Sequence, residues 1–163
     1  IRDRNTIDEL GKISGTGCFT RIRIQQFMTG ELKKRFQDVP EEKKAQVFRK
    51  LTGGFMSGYL GGAPLVIVVC GDKVAPCSMV ADCSAAIENM LLAIQALGLG
   101  ATWTAAVTGD PRDEARTKKL LGIPEECKVI TAISVGYPAE SPGPRPRKPM
   151  EEIVFYEKWG QRK

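Results

Sequence analysis

The chain contains no histidine. That absence removes His-centred catalytic triads, histidine metal ligands and the usual general base near neutral pH. No apolar run approaches the roughly 18 residues that a membrane-spanning helix needs, so no membrane partner is expected. The first residues, Ile1-Arg2-Asp3-Arg4-Asn5, are charged where a secretory signal carries its apolar stretch, and the expected location is the cytoplasm. Five cysteines are present (Cys18, Cys70, Cys77, Cys83 and Cys127), yet no two stand at the C-x₂₋₄-C spacing that zinc sites favour. An odd count without a signal argues for free thiols. Cys70 and Cys127 adjoin apolar runs and are expected to be buried as small hydrophobes. A redox role for Cys77 or Cys83 is not expected.

Aromatic residues make up only 7% of the chain, which bears on the meaning of its net charge of +5. A nucleic-acid binder concentrates such an excess on one face and interleaves aromatics that stack on bases. Here acids and bases alternate through residues 31–50 and 110–128, so no nucleic-acid partner is expected. The one compact basic cluster, Arg145, Arg147 and Lys148, has a length suited to a phosphate group. In other respects the composition is ordinary for a globular protein, with 42% hydrophobic and 26% charged residues. At 163 residues, one domain can bury roughly 70% of its unfolded surface.

Local patterns divide the chain into elements. Asn5-Thr6-Ile7-Asp8-Glu9-Leu10 offers a cap and an acidic first turn for a short helix, followed by a small-residue loop from Gly11 to Gly17. Residues 31–51 predict an exposed amphipathic helical stretch carrying Leu32, Phe36, Val47, Phe48 and Leu51, with a fresh helix start after Pro40. Glycines punctuate residues 52–63, which predicts a linker or a poorly formed helix. Pro64 to Cys70 is a β-branched run, the pattern of a strand covered on both faces. Between Val80 and Leu97, the residues Ile87, Met90, Leu91, Ile94 and Leu97 recur at helical spacing, with Asp82 or Ser84 as the cap and Gly98 as the stop. Pro111 to Leu121 predicts a charged surface helix closed by Gly122, and Val129 to Val135 a second strand. A Pro-rich loop (138–149) and a final apolar stretch, Ile153-Val154-Phe155-Tyr156, complete the pattern. Strands alternating with helices indicate an α+β or α/β sandwich.

Two segments in this order resemble the second half of nitroreductase-family flavoproteins, particularly the short single-domain type. The first is Asp82-Cys83-Ser84-Ala85-Ala86-Ile87-Glu88-Asn89, running through Ala96-Leu97-Gly98-Leu99-Gly100 to Thr104. The second is Leu120-Leu121-Gly122-Ile123-Pro124-Glu125, then an apolar strand, then Val135-Gly136-Tyr137-Pro138-Ala139-Glu140. Tyr156-Glu157-Lys158-Trp159 also fits, and the likeness covers roughly residues 62–160.

The resemblance implies an α+β fold, a nitroreductase-like α/β/α sandwich with a central mixed β-sheet flanked by helices. The whole chain, 1–163, would be a single such domain, with 18–60 as a variable insertion and 138–163 as a C-terminal loop and extension. It further implies an intimate homodimer binding flavin mononucleotide (FMN). Hydride would come from NADH or NADPH and pass to a small aromatic electron acceptor such as a nitroaromatic or quinone. By position, Trp103, Thr104, Ala105 and Ala106 match the stretch whose backbone lies against the flavin ring; residue type alone leaves Trp103 a core aromatic and 104–107 a strand end. Arg145, Arg147 and Lys148 match the cations that reach the FMN phosphate. No residue is assigned a catalytic role, because the flavin carries the chemistry, and no metal is implied. Phe19, Phe27, Phe55 and Tyr59 are candidates to stack on aromatic acceptors, or else simply cover the core. The family's Arg-rich opening segment is not found ahead of Ile1-Arg2-Asp3-Arg4, which resembles what usually follows it. The sequence therefore predicts either a fragment, a site completed from elsewhere, or a degenerate, non-catalytic flavin-binding or structural dimer of the same fold.

Overall fold

A computed structural model describes residues 1–162 apart from 19, 20, 23, 24, 27–37, 53–57, 59, 75–77 and 142, and leaves out the side chains of 47–52. Its elements in order are α1 (Arg4–Thr16), α2 (Glu41–Thr52), β1 (Leu65–Asp72), α3 (Met79–Ala96), β2 (Gly100–Thr104), α4 (Pro111–Leu121), β3 (Cys127–Gly136) and a single turn, α5 (Met150–Ile153). The three strands form one sheet in the order β1-β3-β2. Both pairings are antiparallel, with Leu65 opposite Val135 and Gly100 opposite Gly136. On its other side, β1 is met by Ile1, whose N–H donates to the Val66 carbonyl and whose carbonyl accepts from the Val66 N–H.

Each face of the sheet carries its own apolar cluster, which gives the α/β/α layering that the resemblance implies. On one face Ile7, Leu10 and Ile13 of α1 pack with Leu60, Val66, Val107 and Ala132, and with Leu120 and Leu121 at the end of α4. On the other, Ile87 and Ile94 of α3 pack on Ile133 and Val135, joined by Leu65, Ile67 and Val69. Strand β1 thus contributes alternate side chains to both clusters, as its unbroken apolar run predicts.

Helix α4 follows from its own sequence. The Asp110 side chain accepts from the Arg112 N–H, Pro111 sits in the first turn, Lys118 and Lys119 occupy the last, and Gly122 closes the helix at φ 65°. These are, respectively, an N-cap, a pre-set φ, charges matched to the helix dipole and a left-handed C-cap. It is less of a surface helix than its charge suggests, since Asp113, Thr117 and Lys118 are buried. Hydrogen bonds from the Arg112 guanidinium and from its backbone N–H hold the Asp110 carboxyl down at a pKa of about 2. A carboxylate with a depressed folded-state pKa contributes stability above its unfolded value and loses it as pH falls through the folded one. Asp110→Asn should therefore flatten the decline in stability between about pH 4 and pH 2, while keeping a competent cap. Acid titration followed by circular dichroism reads this directly; unchanged acid sensitivity would place the effect elsewhere.

Helix α1 departs from expectation. It runs thirteen residues to Thr16, so Gly11 to Gly17 is not a loop. Its cap is Asp3, whose carboxylate accepts from the Thr6 N–H at 2.8 Å and from the Thr6 hydroxyl at 2.7 Å. Burial of Leu10, Gly11, Ile13 and Ser14 carries the helix through its small residues. A Cβ at Gly61 would lie 3.8 Å from the Gly11 Cα, an ordinary contact, so the chain around Gly61 packs directly on this part of α1. Packing outweighs the weak helix propensity of glycine there.

Other corrections are smaller. Helix α3 starts at Met79 after Ser78, with Asp82 inside its first turn, so neither Asp82 nor Ser84 is the cap. Helix α2 begins directly after Pro40, as predicted, whereas the amphipathic residues Leu32, Phe36, Val47, Phe48 and Leu51 lie outside the described side chains. Within 52–63, Leu60 is helical and fully buried. Cys70 is exposed rather than buried and Cys127 half-buried; both lie at the sheet end where β1 stops and β3 starts. Cys77 lies outside the described residues, and the other four cysteines are free thiols.

Candidate functional site

An open cleft of about 800 Å³ lies where the ends of β2 and β3 meet the close of α3. Its floor follows from the strand register. Gly100 pairs with Gly136, so the sheet ends with no side chain on either strand. Ala101 and Thr102 continue the lining along β2, and Gly98, at φ 73°, turns the chain from α3 into that strand. A volume of this size is within the usual range for a small-molecule or cofactor site.

Arg145 brings the cleft its positive charge. Strand β3 stops at Gly136, Tyr137-Pro138 carry the chain outward, and the Pro-rich loop returns far enough for Arg145 to line the cavity. Arg147 and Lys148 are exposed on the same loop, two and three residues further on, and are not part of the lining. Among the described residues none of the three has a hydrogen-bond or ion-pair partner. Their charges are thus free for a ligand, and the prolines between them reduce the entropy lost when the loop is ordered.

The second predicted cluster separates into two pairs. Trp103 and Ala105 are exposed, whereas Thr104 and Ala106 are buried. The Ala106 N–H donates to the Thr104 hydroxyl at 3.2 Å, which closes a local turn. The Thr131 hydroxyl, fully buried on β3, donates to the Thr104 carbonyl at 2.8 Å. The Ala105 carbonyl accepts from the Thr108 and Gly109 N–H groups at 3.0 and 2.7 Å. The loop is therefore a hydrogen-bonded shelf that presents Trp103 and Ala105 outward. Because Thr131→Val would remove a buried hydrogen bond to the Thr104 carbonyl, it should cost about 0.5–1.5 kcal/mol in denaturant unfolding. A loss below a few tenths would show that the shelf holds without that bond.

Thus the structure places Arg145 in one cleft with the strand leading into residues 103–106. It does not place that loop, Arg147 or Lys148 in the same cavity. The bare floor made by Gly98, Gly100 and Gly136 is what sequence reasoning missed: those glycines read as stops, and only the register pairs two of them. The aromatic candidates Phe19, Phe27, Phe55 and Tyr59 lie outside the described residues.

The chain matches the model of the nitroreductase family over residues 23–137. A protein of Methanothermobacter thermautotrophicus, provisionally named NADH dehydrogenase/NAD(P)H nitroreductase, is 42% identical over 100 residues, which is 60% of this chain and 51% of that protein. The matched stretch thus spans about half the length of that relative. Among solved structures, one from Parabacteroides distasonis with the same provisional name is 25% identical, with a TM-score of 0.62 over 98% of this chain and 70% of its own. An FMN-dependent nitroreductase from Clostridium difficile has a TM-score of 0.65 at 21% identity, covering 98% of this chain and 73% of its own, a likeness of fold. The family match takes in all three strands and the helices between them; the chain belongs to the nitroreductase family.

Proposed function

We propose that the protein is an FMN-dependent oxidoreductase that passes hydride from NADH or NADPH through flavin to nitroaromatic, quinone or similar acceptors. The observation that carries this reading is the cleft, where the paired glycines at the sheet end, flanked by Pro64 and Pro138, meet an arginine with no described partner and one acid, Glu140. A planar ring bearing a phosphate tail needs both features: close approach of backbone to the ring, and a cation for the tail. The residues present fit such a group. Arg145 would hold the phosphate in the cleft, with Arg147 and Lys148 on the same loop outside it. Trp103 and Ala105, on the chain that continues from the cleft's Thr102, would lie against the ring, while Thr104 and Ala106 would support that shelf from below. Bound FMN would supply the hydride-accepting chemistry; the protein's part is binding, orientation and the polarity around the ring.

The working assembly in this reading is a homodimer. Support comes from large apolar side chains that the described residues leave partly exposed, Leu92 and Leu97 at the end of α3 and Trp103 on β2. In the experiment, purified protein is mixed with FMN and either nicotinamide, and acceptor-dependent oxidation is followed. Oxidation stimulated by a nitroaromatic or quinone supports the reading. No oxidation with either donor across such a panel contradicts it.

A further inference from the structure

A second cleft, of about 260 Å³, shares no residue with the first. It lies between α4 and the sheet end where β1 stops and β3 starts, and is lined by Lys73, Glu114, Lys118, Glu125 and Lys128 with Pro111 and Ala115. Its centre is a buried cation: Lys118 is only 5% exposed. The Lys118 ammonium donates to the Glu125 carbonyl at 3.3 Å and to its carboxylate at 3.2 Å. The Lys73 ammonium donates to that same carbonyl at 2.6 Å. Burial alone would lower the pKa of Lys118, but its hydrogen bond to Glu125 and the surrounding charges outweigh this and raise it above the ordinary lysine value. It stays charged at neutral pH.

The donors and acceptors do not balance. Each ammonium has three N–H donors and no acceptor, and a carbonyl has two lone pairs. The Glu125 carbonyl already takes two ammonium donors. The Glu114 carboxylate is partly committed to the Val129 N–H at 3.1 Å. Among the described residues Lys73 meets one acceptor, Lys118 two atoms of one residue, and Lys128 none. Two like charges therefore converge on one neutral oxygen, with a third on the rim. Two carboxylates of the lining, Glu114 and Glu125, offset two of these three charges; Glu125 is 85% exposed, so it can swing away and leave two positive charges uncompensated. A compact group with several oxygens and two negative charges would satisfy what the protein leaves open.

We propose that this cleft binds a small phosphate-class dianion, either free or as the terminal phosphate of a small organic molecule. The test is a titration of the full chain with sodium phosphate, read as backbone amide shifts, against sodium chloride at matched ionic strength. The expected result is saturable shifts at Lys73, Lys118 and Lys128. Lys73→Ala and Lys128→Ala, both at exposed positions that leave the fold intact, should each weaken binding about tenfold. Glu125→Gln should tighten it, because the competing carboxylate is removed. A parallel titration with glycerol 3-phosphate identifies the source: tighter binding than inorganic phosphate means an organic phosphate, weaker binding means the free ion. Shifts that merely track chloride, or that are confined to the Arg145 loop, or that survive both lysine variants, would overturn the proposal.

Discussion

Ile87→Ala should lower the stability of the fold by about 2–5 kcal/mol, as large-to-small core substitutions do. Ile87 is fully buried on α3, where it packs with Ile133 and Val135 of β3. Removing three carbons there forfeits the transfer free energy of the side chain and leaves a cavity between a helix and a sheet that cannot easily collapse. For a chain of this length each kcal/mol corresponds to roughly 2–4 °C in Tm. The informative control is Leu92→Ala on the same helix. Leu92 is 60% exposed, so its loss should change protomer stability by no more than about 0.5 kcal/mol. If α3 turns this side chain toward a second copy, the same substitution should weaken self-association. Thermal unfolding and light scattering on both variants separate the two faces. Equal destabilisation by both would show that α3 is not one-sided in the way described.

The second large effect is on flavin. Arg147→Ala should weaken FMN binding by about 1.5–3 kcal/mol, the worth of one charged hydrogen bond, or roughly 10- to 150-fold. Arg145→Ala should match or exceed it, because Arg145 is the cation that lines the cleft. Neither change should affect folding: both side chains are exposed, and neither has a described partner to lose. Flavin titration of the parent and the two variants, with circular dichroism as the folding control, gives the answer. Unchanged affinity in both would remove the basic loop from the site.

The contrast between α4 and α1 shows which parts of this fold can be read locally. Every signal for α4 lies within the helix or next to it: Asp110, Pro111, Lys118, Lys119 and Gly122. Helix α1 continues through Gly11 because Ile7, Leu10 and Ile13 pack with Leu60, Val66, Val107 and Ala132, and no local pattern reports those partners. Strands β1 and β3 are legible from their β-branched runs, but β2, Gly100–Thr104, has no such run, and neither it nor the antiparallel register is. The same division holds in the cleft. The basic loop was visible as Arg145, Arg147 and Lys148, whereas its floor exists only once Gly100 and Gly136 are paired. Of the four loop positions suggested by resemblance, the hydrogen bonds of Thr104, Ala106 and Thr131 decide which face outward. The first of these bonds is local, but the second comes from a threonine 27 residues away. Cys70 shows the same division: its apolar neighbours are local, but its place at the end of the sheet is not.

The most direct measurement is an anaerobic spectral titration of the purified protein, first with FMN and then with NADH or NADPH. The expected result is one flavin bound per chain, with a perturbed visible spectrum that bleaches on adding the nicotinamide and returns on adding a quinone. A protein that stays colourless at saturating FMN, or whose bound flavin is not bleached by either nicotinamide, would contradict the proposed oxidoreductase function.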